Sequence, residues 1–205
     1  MSVADPARLE PLVLEGPRVR LEPLRMEHLE PLLRVARDPE VWRWTTTVHT
    51  THQALAAYIT AALEDQAAGR ALPFATTLRE SGQVVGSTRF GNISLADRRF
   101  EIGWTWLGRP WWRSGINREA KLLMLGQAFD RWAANRVEFK TDALNVRSRE
   151  AILGLGATEE GILRHHMVSQ GGRMRDSVYF SILPAEWPAV RTRLETSLAR
   201  PRPEP

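Results

Sequence analysis

The sequence predicts one α/β domain of mixed, α+β-like order, with a central mixed twisted sheet and helices on both faces. Three observations carry that reading. A mainly antiparallel start, with a hairpin at 73–79 and 84–92, is followed by strand, helix, strand, helix and strand. An alternating aromatic run, Phe100, Ile102, Trp104 and Trp106, gives way to an apolar stripe at helical spacing, Leu122, Leu125, Phe129 and Trp132. A length of 205 residues without a break in composition suits one domain with a proper core.

The elements follow in chain order. Arg18 to Leu24 alternates and reads as the first strand. Leu29, Leu32, Leu33 and Ala36 mark a short helix that Asp38-Pro39 ends. Thr50, with Gln53 three residues on, forms a capping box for a second helix, whose face carries Leu55, Ile59, Ala62 and Leu63 and which stops at Gly69. The hairpin turns at Ser81-Gly82, and Phe100 to Leu107 is the next strand. A long helix is expected over 114–135, a strand over 136–142 and a helix over 148–154. Strands over 161–166 and 175–183 precede a last amphipathic helix with Val190, Leu194 and Leu198. Residues 1–13 read as an extension, 14–199 as the domain, and 200–205 (R-P-R-P-E-P) as a disordered tail.

Composition narrows the function classes. No apolar run approaches bilayer length and the N-terminus lacks a signal-peptide core, so the expected place is the cytoplasm, with no membrane partner. Zero cysteines exclude disulfides, thiolate metal sites and a cysteine acyl-enzyme, leaving direct transfer as the simpler route for an acyl reaction. The net charge is +4, and 26 of the 28 basic side chains are arginine, Lys121 and Lys140 being the lysines. Scattered among 24 acids, these arginines match G+C-rich coding better than a nucleic-acid footprint. An RNA- or ribosome-binding role rests on arginine content alone. His49, His52, His165 and His166 lack carboxylate or cysteine partners at ligand spacing, so no metal is expected. G-x-S-x-G is absent, which argues against hydrolase chemistry.

The most informative segment is P-W-W-R-S-G-I-N-R-E-A-K-L-L-M-L, Pro110 to Leu125. A strand, a glycine-containing loop with two arginines and a helix aim backbone N–H groups and the helix dipole at one point, a ready site for phosphate. Asn145-Val-Arg-Ser148 opens the next helix, and the chain closes on R-D-S-V-Y-F-S-I-L and E-W-P. With these motifs the sequence resembles the GNAT superfamily of acyl-CoA-dependent N-acetyltransferases, nearest to the Rim-type ribosomal-protein N-terminal acetyltransferases, over about residues 14–198. The family's phosphate loop is usually Q/R-x-x-G-x-G/A. Aligned on Gly115, this chain has Trp112 and Asn117 at the ends, and Asn117 tolerates the left-handed angles such a turn requires.

The resemblance implies a splayed strand pair holding acetyl-CoA. Thr105, Trp106 and Leu107 would lend backbone hydrogen bonds to pantetheine, and Arg113, Ser114, Gly115, Ile116, Asn117 and Arg118 would hold the pyrophosphate, with Asn145 and Ser148 beside them. Many members carry a tyrosine acid seven residues after the motif asparagine, where this chain has Ile152. Ser148 is the substitute, as acid for the leaving thiolate or as a helix N-cap. Glu101 is the first choice of base, with His165, His166 or water as alternatives. Substrate selection in this architecture falls to the first helices and late strands, where Trp42 and Trp44 read as exposed walls of an acceptor channel or as covers for helix ends. The expected activity is acetyl transfer from acetyl-CoA to a primary amine, of a protein N-terminus or a small molecule. The alternative is a non-catalytic acyl-CoA-binding sensor or partner module, and a homodimer is compatible with either.

Overall fold

The computed structural model describes residues 9–200. Strands β1 (Leu14–Glu15) and β2 (Val19–Pro23) lead into helices α1 (Leu29–Ala36) and α2 (His52–Ala67). The hairpin β3 (Leu72–Leu78) and β4 (Val84–Ser94) is followed by β5 (Arg99–Leu107), α3 (Ile116–Gly126), β6 (Arg136–Asp142) and α4 (Val146–Leu155). Strands β7 (Thr158–Val168) and β8 (Met174–Ile182) and helix α5 (Trp187–Leu198) complete the chain. The strands form one sheet in the order β1-β2-β3-β4-β5-β6-β8-β7. β5 and β6 are parallel and every other neighbouring pair is antiparallel. The expected N-terminal extension and tail fall mostly on residues 1–8 and 201–205, outside the described residues.

Two apolar layers sandwich the sheet. Phe74, Phe90, Phe100, Val137, Phe139 and Phe180 meet Met124 and Leu125 of α3, Ile152 of α4 and Leu194 of α5 on one face. Leu32 of α1, Leu55 and Ile59 of α2, Trp42 and Trp106 form the other. The α1 stripe read from sequence is the buried one, Leu29, Leu32, Leu33 and Ala36.

Four expectations are corrected. Thr51, not Thr50, caps α2, its hydroxyl accepting from Ala54 N at 3.2 Å. The long helix ends earlier: α3 stops at Gly126, a π-helical turn carries the chain to Arg131, and Ala133 turns left-handed. This lays Trp132 against Phe90 and Phe100, with ring centroids 4.9 and 5.2 Å away. Trp42 is buried (2% exposed), its indole N–H donating to Ala36 O at 2.6 Å and its ring 4.8 Å from Trp106, so it is core and no channel wall; Trp44 is half-buried. Finally, the aromatic alternation of β5 breaks. Gly103 pairs with Arg89 but Trp106 pairs with Ser87, so β5 holds one extra residue, and Trp104 there has φ +49°. This bulge moves Trp106 to the α1–α2 face and puts Leu107 on the α3 face with Phe100 and Ile102.

Candidate active site

The site begins where β5 and β6 part. They pair only from Arg99 to Glu101 against Arg136 to Glu138, after which the two strands diverge. The β6-facing edge of Ile102–Leu107 is therefore left unpaired by β6, and it includes Thr105, Trp106 and Leu107, the last with its carbonyl already taken by the Trp112 indole. An extended amide chain can add to such an edge as a short strand.

At the end of β5 the chain turns into α3. Trp112 closes the turn, its indole N–H donating to Leu107 O at 2.8 Å, and Ser114 Oγ donates to Trp111 O at 2.7 Å. Arg113 (φ +63°) and Gly115 (φ +93°) are both left-handed. Among the described residues, no backbone acceptor meets the N–H groups of Arg113, Ser114, Gly115 or Asn117. Left-handed residues interleaved at a helix N-terminus make a concave nest of donors, which with the dipole favours an anion. Asn117 is helical rather than part of the left-handed turn, and its buried Oδ1 has no hydrogen-bond partner among the described residues. Ile116 is core (1% exposed).

The arginines divide. Arg113 is exposed at the nest. Arg118 turns away to α5, where its Nη1 donates to Ser197 Oγ. The guanidinium that joins the loop was not singled out from sequence: Arg147, at the start of α4, stacks 3.5 Å above the Trp112 ring. Burial lowers its pKa, Glu40 opposes this, and Arg113 and Arg43 add to the lowering. Positive charge thus gathers from the loop, from α4 and from the segment after α1.

Across the gap, Asn145 caps α4 by accepting from Ser148 N at 3.1 Å. The cap is therefore Asn145, and Ser148 is the residue it holds. Ser148 is half-buried and its hydroxyl makes no hydrogen bond to the described residues.

Glu101 lies on the sheet face opposite Phe100 and Ile102 and is 4% exposed. Its Oε2 accepts from Asn92 Nδ2 at 2.6 Å and lies 3.5 Å from Lys140 Nζ. Oε1 has no donor among the described residues. The row continues across the sheet: Lys140 Nζ sits 5.6 Å above the Tyr179 ring, and that ring is 5.7 Å from His166. His166 thus shares the Glu101 face, and its pKa is lowered by partial desolvation, by Lys140 and by Arg175. His165 is left-handed (φ +49°), its N–H taken by Asp176 at 2.7 Å.

A second residue missed from sequence lies beneath the open edge. Lys121 of α3 is 4% exposed, and its Nζ donates to Thr105 Oγ1 at 2.6 Å and Thr88 Oγ1 at 2.9 Å, with no carboxylate paired to it among the described residues. Burial lowers its pKa to about 7. Its spacing on the stripe with Leu125 and Ala128 was the available signal, a lysine where an apolar residue is due. Because the unfolded lysine binds its proton up to about 10.5, the folded chain is disadvantaged below that pH, fully at pH 7 and lower. Lys121→Met is therefore expected to raise the melting temperature by several degrees at pH 6–7, a gain that shrinks to nothing as pH rises toward 10.5. Thermal melts across that range check it, and a pH-independent difference contradicts it.

Residues 18–158 match the family model described as an acetyltransferase (GNAT) domain. The chain belongs to the GNAT acetyltransferase family. A GCN5-related N-acetyltransferase from Brucella melitensis is 30% identical with TM-score 0.86, over 94% of this chain and 87% of that one. An uncharacterized N-acetyltransferase of Bacillus licheniformis, p20, is 29% identical over 83% of this chain and 95% of its own length. Mycobacterium smegmatis RimJ, solved in complex with CoA-disulfide, shares the fold with TM-score 0.80 at 24% identity, over 91% of this chain and 95% of that one. As a GNAT protein the chain is an N-acetyltransferase by family, and the diverging β5–β6 pair is the fold feature its sequence led us to expect. No helix among the described residues is long and apolar enough to cross a membrane.

Proposed function

We propose that this GNAT protein transfers an acetyl group from acetyl-CoA to a primary amine by direct attack in a ternary complex, in the cytoplasm. Protein N-terminal amines, which the Rim-type likeness implies, are the first acceptor class to screen. The observation that carries the reading is the nest of N–H groups of Arg113, Ser114, Gly115 and Asn117, which meet no backbone acceptor among the described residues, set at the end of a strand whose edge β6 leaves unpaired.

The residues fit an acyl-CoA. The nest, Arg113 and Arg147 meet pyrophosphate, and the edge of Thr105–Leu107 meets the pantetheine amides. When bound, acetyl-CoA supplies an activated acyl group and a thiolate leaving group. Glu101 takes the proton of the incoming amine through its free Oε1, while Asn92 and Lys140 hold Oε2. Across the gap the hydroxyl of Ser148, whose backbone N–H the Asn145 cap accepts from, donates to the departing sulfur.

Because Asn145 does the capping, Ser148→Ala is expected to leave the melting temperature within a degree or two of the parent. Turnover should fall roughly 10²-fold with unchanged acetyl-CoA affinity. Steady-state rates beside thermal melts test this. In the parent, double-reciprocal plots against both substrates should intersect. Parallel lines would mean a covalent acyl-enzyme and would sink direct transfer.

A further inference from the structure

The acceptor side of the sheet holds a buried cation whose side chain makes no hydrogen bond among the described residues. Arg89, on β4, is 4% exposed. Its guanidinium sits between two rings, 5.1 Å from the centroids of both Tyr58 and Trp104. Its Nε is buried without a partner, and among the described residues the side chain donates no hydrogen bond. The nearest carboxylate oxygen, Asp65 Oδ2, lies 3.7 Å from Nη1, beyond hydrogen-bond reach. Asp65 is held by Arg70, which donates to its Oδ1 through Nε at 3.0 Å and Nη2 at 2.8 Å. Asp65 thus offers Arg89 charge but no hydrogen bond, and the unused N–H donors of the buried guanidinium are left for an anion from outside the protein.

The cation faces a cleft. Asp65, Arg70, Ala71, Arg89, Asn92 and Trp104 line it. The bulge builds one wall, turning Trp104 across Gly91, where any side chain would collide with the indole. Asn92 joins the cleft to Glu101 through its 2.6 Å hydrogen bond. Register places Glu101 and Arg89 together as well: Glu101 pairs with Gly91 and Arg89 with Gly103, so both share one face. They stand two residues apart along the strands, about 7 Å. An acceptor that carries both an ammonium and a carboxylate can present the first to Glu101 and the second to the Arg89 fork, because both side chains rise from one face.

Resting on the acetyl-transfer reading, we infer that the acceptor carries a carboxylate close to its reacting amine, and that Arg89, stacked between Tyr58 and Trp104, binds it. The carboxylate belongs either to a free amino acid or to an acidic side chain near a peptide N-terminus. Planar carboxylate on a stacked guanidinium is the pairing this geometry favours.

The test compares acids with their neutral counterparts. L-Phenylalanine is set against its amide, and the amidated tripeptide Ser-Asp-Gly against Ser-Asn-Gly, by acetylation rate and by calorimetric titration into the protein–CoA complex. At least a tenfold lower KM or Kd for the acid in either pair is expected, and the pair that shows it identifies the source. Arg89→Met should erase that preference and raise the KM for acids at least tenfold, with acetyl-CoA affinity kept. Arg89→Lys, which retains charge without the fork, should restore part of it and serves if the methionine variant does not fold. Equal KM and Kd for acid and neutral partner in both pairs overturn the inference, as does a preference that survives in Arg89→Met. Acid-selective binding without acetylation supports the site while ending the transfer reading. Acetylation without acid preference does the reverse.

Discussion

Gly115→Val is expected to weaken acetyl-CoA binding by two orders of magnitude or more while the protein still folds. Gly115 holds φ +93° as the residue before α3. A β-branched side chain disfavours that angle, costing of order 1–3 kcal/mol if the backbone stays and relieved only if it rotates. Rotation swings the N–H groups of Ser114 and Gly115 out of the nest. Each charge-assisted hydrogen bond lost to pyrophosphate contributes about 1.5–3 kcal/mol, so losing two accounts for the expected drop. The strain predicts a modest fall in melting temperature, since the helix itself starts at Ile116 and its core face, Ile116, Ala120 and Met124, stays packed. Calorimetry with acetyl-CoA, beside a thermal melt, checks both. A variant that binds as tightly as the parent removes the loop from the account.

Glu101→Gln should lower kcat by roughly 10²- to 10³-fold with acetyl-CoA affinity unchanged. Glutamine keeps an oxygen for Asn92 and roughly the same volume in a nearly closed position, but it cannot take a proton. The deficit should narrow as pH approaches the acceptor amine's own pKa, where solvent already supplies the neutral amine. A structural role predicts instead a deficit that does not change with pH. Undiminished turnover in Glu101→Gln would move the base to His166, which shares the face, or to water.

Much of the fold was legible because period-2 and period-3.6 patterns were strong. The 136–142 strand matches β6, and the turn at Ser81-Gly82 sits where β3 and β4 join. The tight turn into α3, which we propose holds phosphate, was readable from its glycine and its place between strand and helix, although which residues turn left-handed was not. Asn117 was the expected one, yet Arg113 and Gly115 adopt those angles, because the turn is finished before α3 begins. The β5 bulge was invisible for a simple reason. Trp104 and Trp106 continue the alternation of Phe100 and Ile102, so one extra residue leaves no mark in the pattern, only in the pairing with β4. Trp42 misled similarly, since a tryptophan in a polar loop gives no sign that Ala36 and Trp106 will bury it. Arg89, Lys121 and Arg147 were missed because each draws its character from partners far away in sequence. Tyr58 and Trp104 stack on the first, Thr88 and Thr105 hold the second, and Trp112 lies under the third.

The measurement that bears most directly on the central claim is release of CoA thiol from acetyl-CoA across a panel of primary amines, amino acids and N-terminal peptides, with product mass read in parallel. The account predicts acceptor-dependent thiol release matched mole for mole by N-acetylated product, with the protein itself unmodified. Acetyl-CoA that binds but releases thiol with none of the acceptors would contradict it and leave a binding module.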